Sequence, residues 1–332
     1  MLRLRFLVVV VTALAVVSAL LSCRGAANVV AAAPAAPLPK PKNAAAIAQA
    51  INLGRVGGLV YADRVRGHPL GARLAGMGVI RALFEGTGID PQQDLERIFI
   101  SAPSVAQGHR AVTVAQHHVP PARLKAAVEV MIARSQPPGA WLPDLGVPAA
   151  RITVSRETRV IALIGSADGD LGDAAGPALL VVLPEDQAPA AVRFLGTGGF
   201  ADPEGPEAAV VLVTDPHRTL RAPRVPRIPE TLHYMLAKVH LTADGGMDVA
   251  MDALSASPEQ ATADAAALTE SVERATTMRI AILTVRFFRP VVFRSETDHV
   301  TGRLHLTEAE IARLLGFADA FGQGRAGSAG SL

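Results

Sequence analysis

"ADGGMDVAMDALSASPEQATADAAALTESV", residues 243–272, holds a turn, a strand and a helix in one line. Asp244-Gly245-Gly246 is a hairpin turn signal, and it pairs the segment after it with a strand over Ala237 to Thr242. In "MDVAMDA" the residues Met247, Val249, Met251 and Ala253 alternate with Asp248, Ala250 and Asp252. Period two with carboxylates on one side describes a strand with one dry and one wet face. Ser257-Pro258-Glu259-Gln260 then offers a capping box with proline at the first helical position. Ala261, Ala265, Leu268 and Val272 supply the buried stripe of that helix. A hairpin feeding a helix, with no crossover between strands, points to an antiparallel α+β fold with helices packed on one face of the sheet.

The same grammar recurs on both sides. Pro290 to Ser295 with Val300 to Leu306 reads as another hairpin, closed by a second capping box, Thr307 to Glu310. Behind it Ile311, Leu314, Leu315, Ala318 and Phe321 face inward. Upstream, Gly58 to Arg64 reads as a strand, and Leu70, Leu74, Met77, Ile80 and Phe84 recur at helical spacing. Leu95 to Ala102 and Ala111 to His118 read as strands, followed by a helix over Pro121 to Ser135. "RITVSRETRVIALIG" (151–165) and "ALLVVLP" (178–184) add strands, and Asp186 to Leu195 a short helix. "HVPPARLKAAV" from His118 and "HLTEAEIARLL" from His305 share a His, an aliphatic residue and a helix start. An internal duplication into two similar halves explains this, and so does capping chemistry alone.

The ends carry different information. Met1 to Arg5 holds two arginines, and an apolar run from Phe6 to Leu21 closes on Ser22 and Cys23. This is the layout of an export signal followed by cleavage. A spanning helix needs about 20 apolar residues, so an uncleaved anchor is the other reading. Leu20-Leu21-Ser22-Cys23 resembles the lipobox of bacterial lipoproteins. The resemblance covers the signal alone and implies that Cys23 is acylated and becomes the new N-terminus. Each buried acyl CH₂ contributes about 0.8 kcal/mol, and stable anchoring takes more than one chain. Arg24, where such proteins can carry an inner-membrane-retaining Asp, implies the outer membrane.

The chain then divides into a signal peptide (1–22), an Ala/Pro-rich tether (23–55) and an N-terminal α+β half (56–214). A Pro/Arg-rich connector (215–230), a C-terminal α+β half (231–321) and a disordered tail (322–332) complete it. A short helical turn near Ala44 to Ile51 is the one element expected inside the tether. In the connector, His217, Arg218, Arg221, Arg224 and Arg227 suit a phosphate or an anionic polymer such as lipopolysaccharide or teichoic acid. They equally suit a solvated linker.

Composition removes several function classes. Cys23 is the only cysteine, so acylation leaves no thiol for a disulfide, zinc site or nucleophile. Lys plus Arg number 32 against 30 acids, and losing Arg3 and Arg5 with the signal balances the charge. A balanced surface gives nucleic-acid binding no footing. No G-x-S-x-G elbow and no H-E-x-x-H pair is present. Gly165-Ser166 is the nearest approach to a nucleophile turn. His117 and His118 are adjacent on a strand and point to opposite faces, so they do not chelate one ion. His68, His233, His240, His299 and His305 share no spacing. Asp168-Gly169-Asp170 with Asp173 opens like a calcium loop but lacks the closing bidentate Glu. "FLGTGGF" (194–200) reads as a helix-ending glycine cluster, and Trp141 as a loop anchor on the core.

The expectation is therefore an envelope lipoprotein anchored through lipid at Cys23, most simply non-catalytic, with no cofactor and no metal. It serves as a structural or assembly component, or carries an apolar ligand between sheet and helices. Its partners are the membrane, an envelope protein or a lipid. The alternative is an envelope hydrolase in which Ser166, His118, Asp168 and His305 converge from distant positions.

Overall fold

The computed structural model describes residues 43–76, 81, 83–154, 157–165, 177–221, 227–280, 283–286 and 291–323. The chain opens with helix α1 (Ala44–Asn52), strand β1 (Val56–Tyr61) and helix α2 (Pro69–Ala75). Strand β2 (Leu95–Ala102), a 3₁₀ segment (Val105–Arg110), β3 (Val112–His117) and helix α3 (Pro121–Arg134) come after these. Next are β4 (Ala140–Trp141), β5 (Ala149–Val154), β6 (Glu157–Ile164) and β7 (Leu179–Pro184). A second 3₁₀ segment (Glu185–Phe194) leads to β8 (Ala209–Thr214), β9 (Tyr234–Leu241) and β10 (Met247–Leu254). Helix α4 (Pro258–Thr276), a separate hairpin β11 (Thr277–Ile280) and β12 (Leu283–Arg286), β13 (Phe293–Glu296), β14 (His299–Leu306) and helix α5 (Glu308–Gln323) follow. Single helical turns lie at Ala62–Val65, Pro91–Asp94 and Pro216–Thr219, the first of them ending the strand expected over Gly58 to Arg64 at Tyr61.

Among the described residues, twelve strands form one antiparallel sheet in the order β13-β14-β10-β9-β8-β1-β2-β3-β7-β6-β5-β4. The α+β class expected from the hairpin signals is the class observed. The decisive stretch behaves as its alternation dictates. Met247, Val249 and Ala253 are buried while Asp248 is exposed. Ser257 Oγ accepts from the Gln260 amide at 3.2 Å, and Thr307 Oγ1 from the Glu310 amide at 3.3 Å. Only the second box is reciprocal, with the Thr307 N–H donating to Glu310 Oε2 at 2.9 Å.

The helices do not all lie on one face. Val60, packed with α2, α4 and α5, pairs with Ile98, which packs against α3, so these four helices share a face. The opposite face over β2, β3, β7 and β6 is covered by α1 and the Glu185–Phe194 segment, with Phe99, Val114, Val181 and Val160 beneath them. Strands there are apolar on both sides: Val160 and Ala162 point one way, Ile161 and Leu163 the other. An alternating strand needs one cover; a continuous apolar strand needs two. Over β9, β10 and β14 that second cover is absent among the described residues, and the alternate positions hold Lys238, His240, Asp248, Asp252, Arg303 and His305 beside Leu236, Ala250 and Leu254.

Helix α1 also revises a boundary. Asn43 caps it through Oδ1, which accepts from the Ala46 amide at 2.8 Å, and Ala44, Ile47 and Ala48 are buried. The folded body thus includes residues from Asn43, ahead of Val56. At the other end α5 runs to Gln323. The signal peptide, Cys23, Met77, Ile80, Ser166, Asp168, Asp170, Asp173 and Arg224 lie outside the described residues, as do the side chains of Ala318 and Phe321. No helix among the described residues is long and apolar enough to cross a membrane.

Candidate functional site

A cleft of about 600 Å³ opens where the start of β1 and the ends of β2 and β8 meet the C-terminal end of α1. That volume falls in the range of small-molecule sites. Three arginines reach it from separate segments: Arg55 before β1, Arg110 at the end of the first 3₁₀ segment, and Arg218 after β8. Asn52, Ser104, Gln107, Gln187 and Thr219 add uncharged polar groups.

The local chain fixes these positions. The Arg55 N–H donates to Ala102 O at 2.9 Å, and Arg55 O accepts from the Thr214 N–H at 2.8 Å, so the residue is stitched between β2 and β8. Asp215 takes a left-handed conformation with φ 50°, tolerated by aspartate better than by most residues. Its carbonyl then accepts from the amides of Arg218 and Thr219 at 3.1 and 3.0 Å, which turns Arg218 back toward the cleft. Asn52, buried at the end of α1, donates through Nδ2 to Ser101 O and Arg110 O, both at 3.0 Å. Asn52 Oδ1 and Gln187 Oε1 are buried and lack a hydrogen-bond partner.

Charge at this site does not cancel pair by pair. Asp215 sits 2.7 Å from Arg55 and 3.8 Å from Arg218, so two guanidinium groups share one carboxylate. Arg110 meets Asp186 at 3.1 Å, a pair open to solvent on both sides and thus weak. One positive charge is left over among these five groups. Arg218, singled out with the connector, is the member visible in the sequence. Arg55 and Arg110 have no local signal that marks them.

Of the four candidate catalytic residues, Ser166 and Asp168 lie outside the described residues, and the other two are not brought together. His118 comes just after β3 and His305 lies on β14, six strand spacings apart across the sheet, or about 29 Å. His305 Nδ1 instead meets Asp248 Oδ1 at 2.8 Å, and His299 Nδ1 meets Asp252 Oδ1 at 2.8 Å. Both pairs stand on the open face of β10 and β14. The hydrogen bond to Asp252 is the largest cause raising the His299 imidazole above its ordinary value. His68 caps α2, with Nδ1 accepting from the Leu70 amide at 3.2 Å. His217 Nδ1 lies 2.9 Å from Ile228 O. Among the described residues, no group of three His, Cys, Asp or Glu side chains could hold a metal ion.

His117 ends β3 and His118 lies just beyond it, so the two are not both on the strand, yet one is buried and the other exposed. His117 is buried, with Nδ1 accepting from the Val119 amide at 3.2 Å, and His118 is exposed. Burial pulls the His117 imidazole below its ordinary value, and the neighbouring His118 adds to this. A lowered folded-state pKa gives stability that is present above the unfolded value near 6.5 and lost as pH falls below it. His299 acts in the opposite sense, but its exposure discounts it. Stability is therefore expected to fall from pH 7 toward pH 5, with His117 contributing a slope of at most about 1.4 kcal/mol per pH unit. His117→Asn, which keeps an acceptor for the Val119 amide, should flatten this acid limb in urea titrations at stepped pH. An unchanged limb would place the loss elsewhere.

The Phe194–Phe200 glycines end the 3₁₀ segment, with Gly196 at φ 66° and Thr197 Oγ1 donating to Phe194 O at 2.8 Å. Trp141 lies in β4 and packs against the α3 cluster. Comparison with known proteins finds no matching family model, no matching curated protein and no matching solved structure.

Proposed function

We propose that this chain is a lipid-anchored, non-catalytic component of the cell envelope, acylated at Cys23 and held at the outer membrane as a structural or assembly element. The observation that carries the reading is Cys23 closing the only long apolar run at the N-terminus, ahead of a folded body that includes Asn43 and the helix after it. The twenty residues from Arg24 to Asn43 span at most about 70 Å. The body can therefore work well clear of the bilayer while staying attached.

Two observations favour assembly over the alternatives. Among the described residues, an apolar cavity between α2 and β2 measures about 70 Å³, far below the roughly 300–1,000 Å³ of ligand pockets and a poor fit for an acyl chain. The separation of His118 from His305 weighs against the hydrolase. We also infer two similar halves. Outward from the β8–β1 pair the strands run β8-β9-β10-β14-β13 on one side and β1-β2-β3-β7-β6-β5-β4 on the other. In each half the third strand leads into a long helix, α3 or α4. This pairing sets α3 against α4, so the likeness of His118 to His305 does not follow it.

The test is a comparison of wild type with Cys23→Ala in a strain that exports the chain. Wild type should enter the detergent phase and gain the mass of fatty acid, while the variant should remain aqueous and unacylated. Identical partition without added mass would remove the proposal.

A further inference from the structure

We infer that the arginine-lined cleft binds a phosphorylated polyol, the chemistry of a sugar phosphate or of a phosphate-bearing lipid headgroup. This goes beyond the anchoring proposal and stands without it, since no part of the cleft involves Cys23.

The argument starts from charge. Arg55, Arg110 and Arg218 converge on one cleft from positions far apart in sequence, and among the described residues Asp215 and Asp186 are the carboxylates paired with them. Two guanidiniums on one carboxylate leave N–H donors unspent, and guanidinium forks match phosphate oxygens. The cleft concentrates this excess between low-dielectric walls, where the pull on an anion exceeds that at an open surface. A bare phosphate would leave much of about 600 Å³ empty.

The remaining lining argues for hydroxyls. Asn52, Ser104, Gln107, Gln187 and Thr219 are uncharged groups able to donate and accept. A hydroxyl-rich ligand can pair with such groups, and a purely apolar ligand would leave both the charge and these groups unmatched.

The experiment is isothermal calorimetry on the full-length chain in a non-ionic detergent at low salt. Four probes are titrated: glucose 6-phosphate, inorganic phosphate, glucose, and micelles doped with phosphatidylglycerol. Saturable heat from glucose 6-phosphate, at least tenfold tighter than from phosphate and absent with glucose, supports the inference with a soluble source. Saturation by the doped micelles alone supports it with a lipid source.

Two variants report on the site. Arg110→Gln leaves behind only the exposed Asp186 and should weaken binding at least tenfold. Asp215→Asn removes the carboxylate that occupies two arginines, so affinity should rise at least threefold, a gain that a structural role for Asp215 would not produce. If Asp215→Asn fails to fold, Arg110→Gln still decides. No saturable heat from any probe, phosphate binding as tightly as glucose 6-phosphate, an Arg110→Gln affinity equal to wild type, or weaker binding by folded Asp215→Asn would each overturn the inference.

Discussion

Asp264→Ala is expected to lower the free energy of unfolding by about 3 kcal/mol, a large share of the 5–15 kcal/mol typical of a domain. Asp264 is 2 % exposed in the first half of α4. Its carboxyl oxygens accept from Thr231 Oγ1 at 2.7 Å, from Ser255 Oγ at 2.5 Å and from Gln260 Nε2 at 3.0 Å. Ser255 comes directly after β10 and Thr231 precedes β9, so one side chain ties the helix to both strands of the central hairpin. Alanine strands those donors in a place where water does not reach Ser255. Asp264→Asn keeps an acceptor and should lose about 1 kcal/mol. Urea unfolding with an unchanged slope would measure the difference. Equal losses for the two variants would mean that helix packing, and not the hydrogen bonds, holds this corner.

That residue also shows why local rules reach only part of the way. Ser257-Pro258-Glu259-Gln260 announces the helix start, and the Ser257 cap forms. The Gln260 side chain, which a capping box would turn back to the Ser257 backbone, goes instead to Asp264. Sequence spacing marks the cap; tertiary packing decides the partner.

Strands with one wet face are legible because polarity records their orientation. "MDVAMDA" is the clear case. Ala209–Thr214, the central strand β8, escapes a reading by pattern although its burial alternates as regularly. Its outward positions hold Val210 and Leu212, so the alternation leaves no trace in polarity. Leu212 remains 36 % exposed.

The second cover of the sheet is legible as elements but not as a cover. A helical turn near Ala44 to Ile51 and a short helix over Asp186 to Leu195 are both expected and both present, the first as a full helix and the second as 3₁₀ with Pro189 inside. Helix α1 shares the alanine-rich composition of the segment before it, so its buried face resembles a continuation of the tether. Neither pattern says which face its element covers, and local patterns therefore predict helices on one face only. The cleft depends on the same elements. Asn52 ends α1, Gln187 lies in the 3₁₀ segment, and Arg55 and Arg110 acquire meaning only when β1 and β2 pair. Charges that meet across 160 residues, as Arg55 and Asp215 do, leave no spacing to read.

Phe194→Ala tests that packing and should cost about 3–5 kcal/mol, the range for removing a fully buried aromatic ring. The side chain is 0 % exposed and sits among Val114, Val160, Val181 and Ile47 on the face covered by α1. A ten-residue 3₁₀ run has poor intrinsic stability, and here it also lacks the amide of Pro189. The segment therefore persists because its apolar side, Ala188, Ala191 and Phe194, is buried. Val192, 44 % exposed on the same segment, provides the control: Val192→Ala should change stability by no more than about 0.5 kcal/mol. Because Asp186 and Gln187 ride on this segment, native-state hydrogen exchange over 185–195 should accelerate in Phe194→Ala before the rest of the sheet opens. Uniform acceleration across all strands would contradict this, since it would mean that the 3₁₀ cover and the sheet unfold as one unit. Selective acceleration would establish that the wall of the cleft is held by a single aromatic anchor.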